Sequence, residues 1–102
     1  MAYLVQLLLP LQDNDGHRFG DDVFAETRTE LVDRFGGVTA HLRAPARGLW
    51  RSGDGVDRDD IVIFEVMIDA LDRDWWMRYR DQVRIRFRQD ALVVRSLPID
   101  LL

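Results

Sequence analysis

Two stretches of the chain repeat one apolar spacing. Phe24, Thr27, Leu31 and Phe35, and again Trp76, Tyr79, Val83 and Phe87, follow one another at steps of three, four and four residues. That spacing puts four side chains on one face of a helix. A helix with a single apolar stripe must bury it against another layer, and the residues between the two stripes supply strands for that layer.

Tyr3 to Leu9 is a nearly continuous apolar run ending at Pro10, as in a strand buried in the middle of a sheet. Gln12 to Gly20 is polar and reads as a loop. Asp21 and Asp22 are placed to cap the first helix, since short carboxylates accept from the free amides of a first turn. Gly36 and Gly37 end it, because glycine takes the left-handed conformation of a C-cap. A second strand is expected from Val38. The Gly- and Asp-rich Ser52 to Asp60 reads as a hairpin connection, with a third strand over Ile61 to Ile68. The second helix begins after Asp72 or Asp74, and Ala91 to Leu97 forms a last strand before Pro98.

This order, βαββαβ, predicts an α+β ferredoxin-like sandwich: a four-stranded antiparallel sheet, order 4-1-3-2, with two helices on one face. The prolines agree, since Pro45 and Pro98 fall in or just after the two expected edge strands. With 102 residues there is room for one domain, residues 1–102.

Charge excludes several functions. The basic set is 14 residues, every one of them Arg, against 18 Asp and Glu, for a net charge of −4. An acidic total opposes binding to nucleic acid or an anionic membrane by bulk charge. No central strand carries the paired aromatic motif of an RNA-recognition domain. The arginines of the second helix, beside Trp75, Trp76 and Tyr79, read as a solvated face whose stems cover the helix flanks. There is no Cys, so thiolate metal sites, disulfides and cysteine nucleophiles are excluded. Met1 to Pro10 lacks the positive start and cleavage site of a secretory leader, and no run is long enough to span a membrane, so a cytoplasmic protein is expected.

The helices leave one sheet face uncovered, and its expected residues are apolar enough to be poorly suited to water. Leu4 and Leu8 join Ile61, Ile63 and Met67 there, which predicts a homodimer that buries this face. Within it fall Gln6, His41, Arg43, Arg47, Glu65 and Arg95, the makeup of a site for a small polar or anionic ligand. A hairpin centred near Val56 sets Arg47 opposite Glu65, Leu49 opposite Ile63 and Trp50 opposite Val62. An Arg47–Glu65 ion pair with purely structural neighbours is the plainer reading of the same residues.

Catalysis has little to rest on. No nucleophile triad, glycine-rich phosphate loop or shared carboxylate pair is present, so catalysis would rest on His41, with Arg43 or Arg47, and enzymatic activity stays open. No cofactor is implied and no metal site is expected. His17 and His41 lack ligand spacing, and Asp13-Asn14-Asp15-Gly16 read as a calcium loop would begin at Leu11, which offers no ligand oxygen. Turn chemistry explains that run, and the acidic Asp54, Asp57, Asp59 and Asp60, more simply.

Arg34-Phe35-Gly36-Gly37-Val38-Thr39, Gly48-Leu49-Trp50 and Asp59-Asp60-Ile61-Val62 together resemble a group of small bacterial proteins of unknown function, over about Phe24 to Ile68. The element order is more distantly similar to the dimeric α+β barrel proteins, among which are cofactor-independent monooxygenases. The resemblance implies architecture and carries no catalytic residues across. The sequence thus points to a dimeric ferredoxin-like module that binds a small ligand or a protein partner through its open face, with a small monooxygenase- or isomerase-like enzyme as the alternative.

Overall fold

The computed structural model describes the backbone of residues 2–41, 47–52 and 55–102, and the side chains of residues 2–41 and 61–102. The elements run β1 (Ala2–Pro10), α1 (Asp21–Phe35), β2 (Thr39–His41), β3 (Arg47–Ser52), β4 (Gly55–Ile68), α2 (Arg73–Arg86) and β5 (Val93–Ile99). The main sheet is antiparallel in the order β2-β4-β1-β5, with β3 paired to the first half of β4. This is the expected ferredoxin-like βαββαβ sheet, with β1 and β4 at its centre.

Alternation decides the two faces. Val62, Phe64, Val66 and Ile68 of β4 are buried, as are Val5, Leu7 and Leu9 of β1, and they meet Phe24 and Leu31 of α1 and Trp76, Tyr79 and Val83 of α2. Phe87, just past α2, sits edge-to-face against Phe19 of the loop and Phe24 of α1, both with ring centroids 5.1 Å away. Aromatic packing thereby ties the end of one helix to the start of the other.

Both helix boundaries follow from local chemistry, with one difference from expectation. Asp72 caps α2, accepting from the amide of Trp75 at 3.1 Å. Gly20, not Asp21 or Asp22, holds the N-cap position of α1; the two aspartates lie inside the first turn and act there through the helix dipole. Gly36 closes α1 at φ 84°, its amide bonded to the Val32 carbonyl at 2.8 Å.

The hairpin is the largest departure. Strand pairing reaches Ser52 and Gly55, so Ser52 to Asp60 is mostly ladder and not loop. The register moves with the turn: Arg47 lies opposite Asp60, Leu49 opposite Arg58 and Trp50 opposite Asp57, and the expected Arg47–Glu65 pairing is not formed. The hairpin sequence carries Asp and Arg where apolar alternation would have announced a strand. The last strand is also shifted to Val93–Ile99. Pro98 lies within it opposite Tyr3, which an edge strand tolerates because a missing amide there can face outward.

Candidate functional site

On the face without helices, strand register stacks three rows of side chains. Met67, Leu4 and Leu97 form one row across β4, β1 and β5, and Ile63, Leu8 and Val93 form another. Glu65, Gln6 and Arg95 lie between them, with Thr39 of β2 opposite Glu65. Met67 and Val93 are more than half exposed, at 57% and 52%. A polar row therefore runs across the sheet between two apolar ones, over roughly 14 Å if three strand spacings of about 4.8 Å separate its ends.

The polar side chains are joined to each other. Arg95 Nε donates to Gln6 Oε1 at 2.7 Å, and Gln6 Nε2 donates to Glu65 Oε1 at a longer 3.4 Å. A primary amide has one accepting and one donating end, so a guanidinium on one side and a carboxylate on the other fix which way Gln6 faces. His41 Nε2 approaches the same Glu65 oxygen at 2.8 Å. The nitrogen is shielded from water, yet among the described residues it has no partner aligned for a hydrogen bond. His41 lies opposite Ile63 and reaches diagonally to Glu65, so the polar row is extended to His41, Glu65, Gln6, Arg95, one side chain from each strand of the main sheet.

Of the six residues the sequence singles out, these four come together. Arg43 lies outside the described residues, as does Pro45, and Arg47 is described only by its backbone in β3, opposite Asp60. Among the described residues Glu65 has His41 and Gln6 as its partners. Its other oxygen, Oε2, and the terminal nitrogens of Arg95 take no partner among the described residues. Those groups offer an acceptor and a fork of donors to anything resting on the face.

A second polar group lies between the helices, and the sequence does not announce it. Arg86 belongs to the helix face expected to be solvated, but its side chain is only 10% exposed. It donates to Glu30 through Nη1 at 2.6 Å and Nη2 at 3.0 Å and also reaches the Thr27 hydroxyl at 2.8 Å. Tyr79 donates to Glu30 at 3.1 Å, and Gln82 Nε2 donates to the same carboxylate at 3.2 Å. Burial by itself raises the carboxyl pKa of Glu30, but hydrogen bonds from Arg86, Tyr79 and Gln82 and the Arg86 charge outweigh it, holding the group below its ordinary value. Tyr79 is pushed upward by burial and by the Glu30 charge. The spacing of Glu30 and Arg86 against Thr27 and Tyr79 was visible in the sequence; which flanks of the two helices meet was not.

Asp13, Asp15 and His17 bring their ligand atoms within 4.8 Å of one another. The Asp13 carboxylate is engaged by the backbone amides of Asp15 and His17, both at 2.9 Å, which is the turn chemistry expected of this run. The His17 amide bond is the leading cause that lowers the Asp13 pKa.

No protein-family model matches the chain, and no curated protein matches it. Solved structures do. A divalent cation tolerance protein, CutA1, from Thermus thermophilus superposes with a TM-score of 0.63 at 15% identity, over 97% of this chain and 84% of that one. CutA1 from Ehrlichia chaffeensis gives 0.62 at 7% identity, over 99% and 84%. A phage SAM lyase in complex with S-methyl-5'-thioadenosine gives 0.61 at 13% identity, over 94% and 80%. At these identities the likeness establishes the ferredoxin-like fold. Among the described residues no helix is long and apolar enough to cross a membrane.

Proposed function

We propose that the protein works as a homodimer whose two open sheet faces meet, and that the His41-Glu65-Gln6-Arg95 row binds a small carboxylate ligand in the space they enclose. The observation that carries this reading is the polar row set between two apolar rows. Exposed apolar rows favour burial against a second copy. Four charged or polar groups brought into such an interface need partners, and a ligand presenting a carboxylate to Arg95 and a hydroxyl or amine to Glu65 provides them. The resemblance in element order to dimeric α+β barrel proteins supports the same assembly.

The test has two arms. Size-exclusion chromatography with light scattering at micromolar concentration is expected to show a dimer, and a monomer throughout that range overturns the assembly. Melting shifts are then measured with glycolate, malate and citrate. A shift that is present in the native protein and absent in Arg95→Ala and His41→Ala supports the site, and no difference between these proteins removes it.

The 2.8 Å approach of His41 to Glu65 favours a second reading, a small cofactor-independent enzyme of the monooxygenase or isomerase type that uses His41 with Arg43 or Arg47 beside the Glu65 carboxylate. The CutA1 structures are described by divalent cation tolerance and the phage neighbour is a lyase, so the fold accommodates both classes. Turnover lost in His41→Ala with the dimer intact would favour the enzyme.

A further inference from the structure

The other face of the sheet holds a cleft of about 160 Å³ between α2 and the edge strand β5. Trp76, which lines the cleft, stacks on Phe35 of α1 at 5.1 Å between centroids, and the Tyr79 hydroxyl reaches Glu30. Ser96 and Pro98 lie opposite Val5 and Tyr3, in register with the helix-covered side, yet both are exposed. The helix does not close over this end of the strand.

The flank of α2 that overhangs the gap carries Arg73, Trp76, Met77 and Arg80, at i, i+3, i+4 and i+7 on one stripe. Val5, Leu71, Val94 and the buried Trp76 make the interior apolar. Arg73 has no ion-pair partner among the described residues, and Arg80 has only a loose contact with Asp81 at 3.5 Å, between side chains 39% and 56% exposed. Two cations two helical turns apart thus border an apolar recess in a chain that is acidic overall.

We propose that this cleft binds a monocarboxylate with a small apolar body, an aryl or short acyl acid, its body seated among Val5, Trp76 and Val94 and its carboxylate held by Arg73 and Arg80. Size sets the upper limit, since an apolar cavity of about 150 Å³ accommodates one benzene ring. The planar fork of arginine recognises a carboxylate with two parallel donors. The cleft opens on the helix side of the sheet, and Arg95 of the polar row also borders it at the edge strand.

The experiment is an amide and indole NMR titration of the full chain with benzoate and hexanoate, using benzyl alcohol and hexanol as uncharged controls. Saturable shifts are expected at Arg73, Trp76, Met77 and Ser96, with the alcohols at least about tenfold weaker. Arg73→Gln/Arg80→Gln is expected to weaken the acids about tenfold while leaving the alcohols unchanged. Ser96→Leu, which fills the mouth from the strand side and keeps both arginines, is expected to abolish binding of all four. Shifts that do not saturate, shifts centred on Gln6, His41 and Glu65, or equal binding by the double variant overturn the proposal. The last two outcomes leave the open-face reading standing.

Discussion

Arg86 holds Glu30 with two guanidinium nitrogens, at 2.6 and 3.0 Å, and so joins the last turn of α2 to the middle of α1. Thr27, whose side chain is fully buried, accepts a third bond from the same guanidinium and donates its own hydroxyl proton to the Val23 carbonyl. Helix packing here is therefore fixed by direction as well as by apolar area.

Arg86→Ala is expected to lower stability by about 2–3 kcal/mol. Breaking a fully buried pair costs about 3–5 kcal/mol, and Glu30 is about a third exposed, which reduces that figure. For a domain of this size the loss corresponds to a fall of roughly 10–20 °C in melting temperature. Arg86→Lys, which keeps the charge and loses the fork, falls between. Calorimetry showing Arg86→Ala within about 0.5 kcal/mol of the native protein would remove the clamp.

Glu30 also sets a pH dependence. Its folded pKa lies below the ordinary 4.5, so the stability it contributes is complete above about pH 4.5 and is lost as the pH falls through the folded value. At neutral pH the native protein is expected to melt above Glu30→Gln. The gap narrows below about pH 4.5, once the native carboxyl takes up its proton. Melting curves for the two proteins from neutral pH downward check this; a constant gap means that Glu30 is not the titrating group.

On the open face, Met67→Glu places a charge in the apolar row opposite Leu4, at a side chain 57% exposed. The expected result is a monomer with little change in intrinsic stability, because an exposed position away from the core usually moves stability by no more than about 0.5 kcal/mol. Sedimentation of the native protein and the variant at matched concentrations reads this directly. A variant that remains dimeric places the contact elsewhere.

The two helices end in unlike ways. After α1, Gly36 sits at φ 84° with open space where a Cβ would go, so Gly36→Ala is expected to cost about 1 kcal/mol through backbone strain alone. Gly37→Ala is expected to be near neutral. After α2, Arg88 adopts φ 51° without being glycine. It holds that conformation while placing its guanidinium 5.3 Å from the Phe19 ring centroid and 3.5 Å from Asp13. Arg88→Gly relieves about 1 kcal/mol of strain and loses contacts of similar size, so its net change is expected to stay within about 0.5 kcal/mol. Denaturant titration of the three variants separates strain from contact.

The helix stripes, the caps at Asp72 and Gly36 and the alternation of β1 and β4 were legible because each depends on neighbours a few residues away. The candidate row was legible in part for the same reason: Gln6, Glu65 and Arg95 share a face by strand parity alone. The hairpin was not. Its sequence is polar on both parities, so composition suggested a loop, and only the pairing of Ser52 with Gly55 fixes the register that puts Arg47 beside Asp60 and leaves Glu65 to His41.

Local spacing and chain order in the sequence determined a ferredoxin-like sheet with one uncovered face, because backbone periodicity and connection handedness act on every residue independently of partners. Tertiary structure decided which polar groups meet. Arg86 is a buried clamp and not a solvated charge, and a cleft opens between α2 and β5. Both outcomes turn on which flank of a helix faces its neighbour, a choice made by packing the whole core at once.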